Sequence, residues 1–139
     1  MARILGFDFG TGHIGCAVGN TVLGTANSIG AIKAKDGIPD KAEIARLFST
    51  WKPEFIVVGL PLNMDGTEQL MTKRARKFGN RLANEYRLKV VFVDERLSSA
   101  SAKEEIFARG GFKALKNGKE QIDALSAQEI LEQYLSENH

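Results

Sequence analysis

This sequence predicts an α/β fold: a five-stranded mixed sheet with helices on both faces. Two patterns carry that expectation. Residues 3–29 hold three short strand-like runs with short joins, which reads as an antiparallel meander. After residue 40, helical periods alternate with short continuous apolar runs, the mark of β-α-β crossovers onto a parallel sheet covered on both sides. Right-handed crossovers then fix the parallel part.

In chain order, RILGFD (3–8) reads as a buried strand and Phe9-Gly10-Thr11-Gly12 as a turn. Ile14, Cys16 and Val18 alternate, predicting a second strand over 13–19. Gly19-Asn20 predicts a tight turn and 22–29 a third strand, followed by a polar connection over 33–39 with a turn at Asp36-Gly37. Asp40 opens a helix with Glu43 at capping-box spacing. Ile44, Leu47, Phe48 and Trp51 share one face of it, and Lys52-Pro53 ends it. FIVVGLP (55–61) is a β-branched run suited to a covered strand. A second helix is expected to start near 65–67, with Asp65 and Glu68 at capping-box spacing. It turns Leu70, Ala75, Phe78, Leu82 and Tyr86 inward. KVVFVDE (89–95) is another covered strand. Ser101 and Glu104 begin a third helix that Gly110-Gly111 stops. A basic loop over 112–118 and a last helix over 122–136 complete the order. No repeat, low-complexity segment or linker interrupts residues 1–139, which read as one domain.

The chain is 43% hydrophobic and 26% charged, ordinary for a globular domain. No apolar run approaches the ~20 residues of a membrane span. The first residues match no signal-peptide pattern. With a single cysteine, Cys16, no internal disulfide is possible, so a reducing cytoplasm is expected. Net charge is only +2, but its distribution is uneven. Residues 73–89 hold seven Lys/Arg against Glu85 alone, and 109–119 hold four with no acid. Such asymmetry suits a polyanionic partner, although a solvated helix face is an equal reading.

Three acids fall where a parallel sheet would gather a site. Asp8 closes the first strand, Glu95 follows Asp94 at the end of another, and Asp123 heads the stripe Ala127, Ile130, Tyr134 of the last helix. A buried carboxylate is costly unless paired or bound to a cation. Two of them have a plainer role open: a turn Asp for Asp8 and a helix N-cap for Asp123. Mg²⁺ uses few protein carboxylates and completes its shell from water and phosphate, and two such ions can drive phosphodiester hydrolysis. No Cys/His cluster suggests zinc. DFGTG lacks the companions of a kinase or a P-loop. Asn63 and Thr67 in GLPLNMDGTE (59–68) are placed to bond phosphate or ribose, Arg96 to clamp phosphate, and His13 to touch phosphate. Turn chemistry, an ion pair with Asp94, and a half-exposed strand histidine are the competing roles.

On DFGTGHIGCAVG (8–19), GLPLNMDGTE, RARKF (74–78), DERLSS (94–99), and Asp123 with Ser126-Ala127 and Ile130-Leu131, the chain resembles the YqgF/RuvX family. This family is similar to RuvC resolvases within the RNase H-like superfamily. The resemblance spans nearly the whole chain. It implies an RNase H-like fold and a nuclease using Mg²⁺ or Mn²⁺, with Asp8, Glu95 and Asp123 as catalytic metal ligands. It also implies 5′-end processing of precursor 16S rRNA. The chain departs from the family at Gly12-His13, where a Lys or Arg is usual, and in a longer connection before Asp123, which leaves Glu120 as an alternative ligand.

The candidate nucleic-acid contacts are Thr11, His13, Asn63, Lys73, Arg74, Arg76, Lys77, Arg96, Lys113 and Lys116. The expected partner is precursor rRNA, with the ribosome in its company and no membrane, for a monomer or homodimer. Branched DNA cut by a Holliday-junction resolvase is the alternative, which calls for a two-fold dimer. A non-catalytic RNA- or ribosome-binding protein is the reading from another class.

Overall fold

The computed structural model describes residues 3–63, 65–94 and 118–137, with the side chains of the last helix described from Ala124 onward. Arg3–Asp8 forms β1, His13–Asn20 β2 and Thr25–Lys35 β3. Ile38–Pro39 forms β4, Lys41–Trp51 α1 and Phe55–Leu60 β5. Leu70–Tyr86 forms α2, Lys89–Asp94 β6 and Gly118–Glu137 α3. Among the described residues the strands make one six-stranded sheet in the order β4-β3-β2-β1-β5-β6. The first three pair as the expected antiparallel meander, while β1, β5 and β6 run parallel. No described helix is long and apolar enough to cross a membrane.

The sixth strand is the two-residue β4. It exists because Asp36 and Gly37 both adopt positive φ (52° and 83°), the geometry that folds two strands back tightly. The polar stretch after residue 30 is therefore strand rather than connection. Most of β3 is exposed, so Lys33 and Lys35 sit in a strand without burying charge. The preceding turn also lies further along than Gly19-Asn20. The Asn20 side-chain oxygen accepts from the Val22 and Leu23 amides at 2.9 and 3.0 Å, and Gly24 N–H returns to Asn20 C=O. Val22 and Leu23 consequently stand at an exposed hairpin tip, 69% and 70% accessible.

Asp40 caps α1 as its residue type suggests, accepting from the Ala42 and Glu43 amides. The capping box is not completed, because Asp40 N–H donates to Lys33 C=O. Helix α2 begins at Leu70, later than expected. Asp65 is occupied in its own loop, accepting from Thr67 N–H and Thr67 Oγ1, and Glu68 pairs with Arg76. Gln69 and Thr72 form the capping box instead. Leu70, expected inward, is 71% exposed, whereas Ala75, Phe78 and Leu82 are buried. Helix α3 starts four residues before the expected 122. The third expected helix (from Ser101), and the basic loop up to residue 117, lie outside the described residues.

The sheet separates two cores. Leu5, Phe7, Cys16, Ile56 and Val58 face α1 and α2. Ile4, Ala17, Val57 and Val93 face Ala127, Ile130, Leu131 and Leu135 of α3. Helix α3 comes very close to the strands because the sheet lacks side chains beneath it. A Cβ on Gly6 would lie 2.5 Å from Leu131 Cγ, and one on Gly19 would lie 3.4 Å from Leu131 Cδ1. Gly6→Ala should therefore destabilise the protein by about 1–3 kcal/mol through overpacking. Urea titration measures this, and the Gly6→Ala/Leu131→Ala double variant should lose less than the two single losses summed.

Candidate active site

Strand alternation decides which way each site residue faces. Asp8 shares parity with Ile4 and Gly6, so its carboxylate lies on the α3 side of the sheet, 7% exposed. Its in-register neighbours are Gly15 on β2 and Gly59 on β5. Both flanking positions on that face thus lack side chains. One strand further across, Gly59 pairs with Val93, which belongs to the α3-side core. Asp94 has the opposite parity and ends β6 opposite Leu60.

Helix α3 lies across this same face of the sheet. Tyr134, near its end, packs against Phe55 at the start of β5, with ring centroids 5.8 Å apart. Leu131 lies over Gly6, in the middle of β1. Earlier residues of α3 cross toward β3, where Gln128 Oε1 accepts from Ser28 N–H at 3.0 Å. The stripe that Asp123 heads in the sequence does face the sheet: Ala127 and Ile130 are fully buried. Asp123 is helical in backbone, but its side chain and that of Glu120 lie outside the described residues, as do Glu95, Arg96, Lys113 and Lys116 wholly. Ser126, one turn along from Asp123, is fully buried, and its hydroxyl has no hydrogen-bond partner among the described residues.

The other candidates separate clearly. Thr11 lies in the loop after β1 and its carbonyl accepts from Gly37 N–H; His13 begins β2. Asn63 belongs to a self-bonded loop, donating from Nδ2 to Thr67 Oγ1 at 3.1 Å while its backbone carbonyl accepts from Gly66 N–H. The loop is fastened to α2 by Gln69 Nε2, which donates to Pro61 C=O at 2.8 Å. Lys73 and Lys77 are exposed in the first turns of α2. Arg74 pairs with Asp36 at 3.6 Å, a surface contact worth little. Arg76 pairs with Glu68 and covers the Phe92 ring. These four cations stand near the same strand edge as Asp8, but on a helix packed against the opposite face.

Gly15 and Gly59 are the site positions that residue-by-residue reading missed. Only the strand register brings them beside Asp8. Cys16 has no catalytic setting: burial, reinforced by the nearby Glu43 charge, pushes its thiol up to about 12.

A mixed sheet with a meander, parallel crossovers and a carboxylate closing its central strand defines the RNase H-like class. The sequence profile of RuvX, described as Holliday junction resolvase, matches residues 2–137, and the chain belongs to this family. A relative from Actinobacillus succinogenes, named "Putative pre-16S rRNA nuclease", is 56% identical over 97% of this chain and 95% of its own length. One of the same name from Colwellia psychrerythraea is 52% identical over 98% and 90%. Among solved structures, Thermus thermophilus RuvC in complex with a Holliday junction substrate superposes with a TM-score of 0.55. It is 18% identical, over 99% of this chain and 95% of that one. The fowlpox virus Holliday junction resolvase gives 0.59 at 14% identity, over 97% and 98%. At such identities the likeness is one of fold.

Because the folded thiol is harder to ionise than the unfolded one, Cys16 favours the native state below about pH 9. That contribution should fade between about pH 9 and 12. A maleimide should leave Cys16 unmodified in the native protein at pH 8 and label it in denaturing urea, as read by intact mass.

Proposed function

We propose that this chain is a divalent-metal-dependent endonuclease that processes the 5′ end of precursor 16S rRNA, with Asp8, Glu95 and Asp123 as its metal ligands. The observation that carries the reading is the Asp8 carboxylate, 7% exposed and flanked on its own face by Gly15 and Gly59. A buried carboxylate between two bare positions suits a hard cation with its remaining water and phosphate ligands. Glu95 follows Asp94 directly in the chain, and Asp123 is two turns of helix before Leu131. The names of the relatives support the rRNA substrate.

Mg²⁺ or Mn²⁺ held there would supply an activated water and charge neutralisation at the scissile phosphodiester. The protein's own part is to fix the Asp8 oxygen at the end of a rigid central strand and to exclude bulk water with α3. Lys73 and Lys77, exposed and near this edge, would attract backbone phosphates without reading sequence. Arg96, Lys113 and Lys116 are proposed for the same task. The family description favours a second substrate, branched DNA, which the same assay examines.

The test incubates purified protein with a precursor 16S rRNA fragment and, separately, a synthetic four-way junction, in Mg²⁺, Mn²⁺ or EDTA. Cleavage of the RNA at its 5′ side, absent in EDTA, is expected. Asp8→Asn should lower that rate by more than about a hundredfold while thermal unfolding stays close to wild type. Undiminished cleavage by this variant would remove Asp8 from the mechanism. Efficient cutting of the junction alone would replace the RNA with branched DNA.

A further inference from the structure

The β3–β4 hairpin, the start of α1 and the outer side of α2 enclose a cavity of about 270 Å³ on the sheet face opposite the Asp8 carboxylate. Phe9, Ile44, Phe78 and Leu82 contribute an apolar floor, and Ile38, 57% exposed, forms part of one wall. The hairpin turn closes over Phe9: a Cβ on Gly37 would lie 3.0 Å from the Phe9 ring. Arg74, Lys77 and Arg81 line the cavity from one face of α2, spaced i, i+3 and i+7, and Lys41 adds a fourth cation from α1. The acids present are Asp36 and Glu85. Asp36 is taken by Arg74, while Lys41, Lys77 and Arg81 make no ion pair with a described residue.

An apolar floor beneath a surplus of cations fits a planar ring system that carries an anion. A phosphate chain alone would gain nothing from the floor, and an apolar peptide nothing from the cations. The volume lies just below the ~300 Å³ at which small-molecule sites usually begin, which suits one ligand unit rather than a run of them. We propose that this cavity is a subsite for a single unstacked nucleotide of the substrate strand, with its base on the Phe9–Phe78 floor and its phosphate on Lys77 and Arg81. The choice of a nucleotide among aromatic anions rests on the nuclease reading above. Asp8 and Phe9 are consecutive but face opposite sides of the sheet. A nucleotide held on Phe9 would therefore be anchored just across the strand edge from the catalytic carboxylate. It would set the register of the strand that crosses that edge.

The full-length protein in EDTA, with no metal to support cleavage, is titrated with AMP, GMP, CMP, UMP and inorganic phosphate, and amide shifts are followed by NMR. A saturating mononucleotide response at residues 36–41 and 74–86, with phosphate alone weaker, is expected. A short single-stranded oligoribonucleotide should move the same amides at lower concentration. Arg81→Ala should weaken mononucleotide binding about tenfold, the loss of one charge-assisted hydrogen bond. Ile38→Asp, at an exposed position, should weaken it comparably. Absence of a saturating response, shifts confined to other surfaces, an oligonucleotide that bypasses these amides, or wild-type binding by both variants would overturn the subsite. Failure of cleavage by the wild-type protein, with this binding intact, would count against the catalytic reading alone.

Discussion

The close approach of α3 to the sheet is the constraint on which that face of the fold depends. A helix usually rests on a layer of side chains, yet beneath Leu131 the strands offer Gly6 and Gly19. Leu131 sinks into that gap, and Ile130, Ala127 and Leu135 close the core around it. Tyr134 packs against Phe55 at the start of β5, and one to two turns earlier Gln128 accepts from Ser28 N–H of β3, so the helix lies obliquely across the strands. Interiors packed at crystalline density admit little sliding, so this close fit holds the helix in one position.

The sheet also divides the chemistry between its faces. On one, two glycines flank a buried carboxylate. On the other, stacked and edge-on aromatics, Phe7 with Phe48 and Phe78 and Phe9 with Phe78, build a dense core under a cationic helix. The sheet thus separates the Asp8 carboxylate from the cations of α2. Alternation along extended backbone puts two consecutive residues, Asp8 and Phe9, on opposite faces.

Much of the architecture was readable in the sequence. The alternation Ile14-Cys16-Val18 and the covered runs at 55–60 and 89–94 mark strands, because burial on one face or both leaves a periodic signature. Asp40 announced α1 through its residue type. The turn chemistry was harder to read. Asn20, Asp65 and Gln69 each had several possible backbone partners, and the surrounding packing chose among them. Lys33 and Lys35 looked like loop residues because charge is rare inside sheets, yet an exposed strand tolerates it.

For the site, the sequence by itself determined that Asp8 ends a buried strand and that the stripe behind Asp123 faces a core. Both are local consequences of alternation and helical period. Only the tertiary structure decided that Gly15 and Gly59 flank Asp8, that α2 carries its cations on the opposite face, and that Arg74, Lys77 and Arg81 border a cavity under the β3–β4 hairpin. Strand register and helix placement are set by contacts between residues distant in the chain. No local pattern of residues encodes which distant partner will fill a given gap.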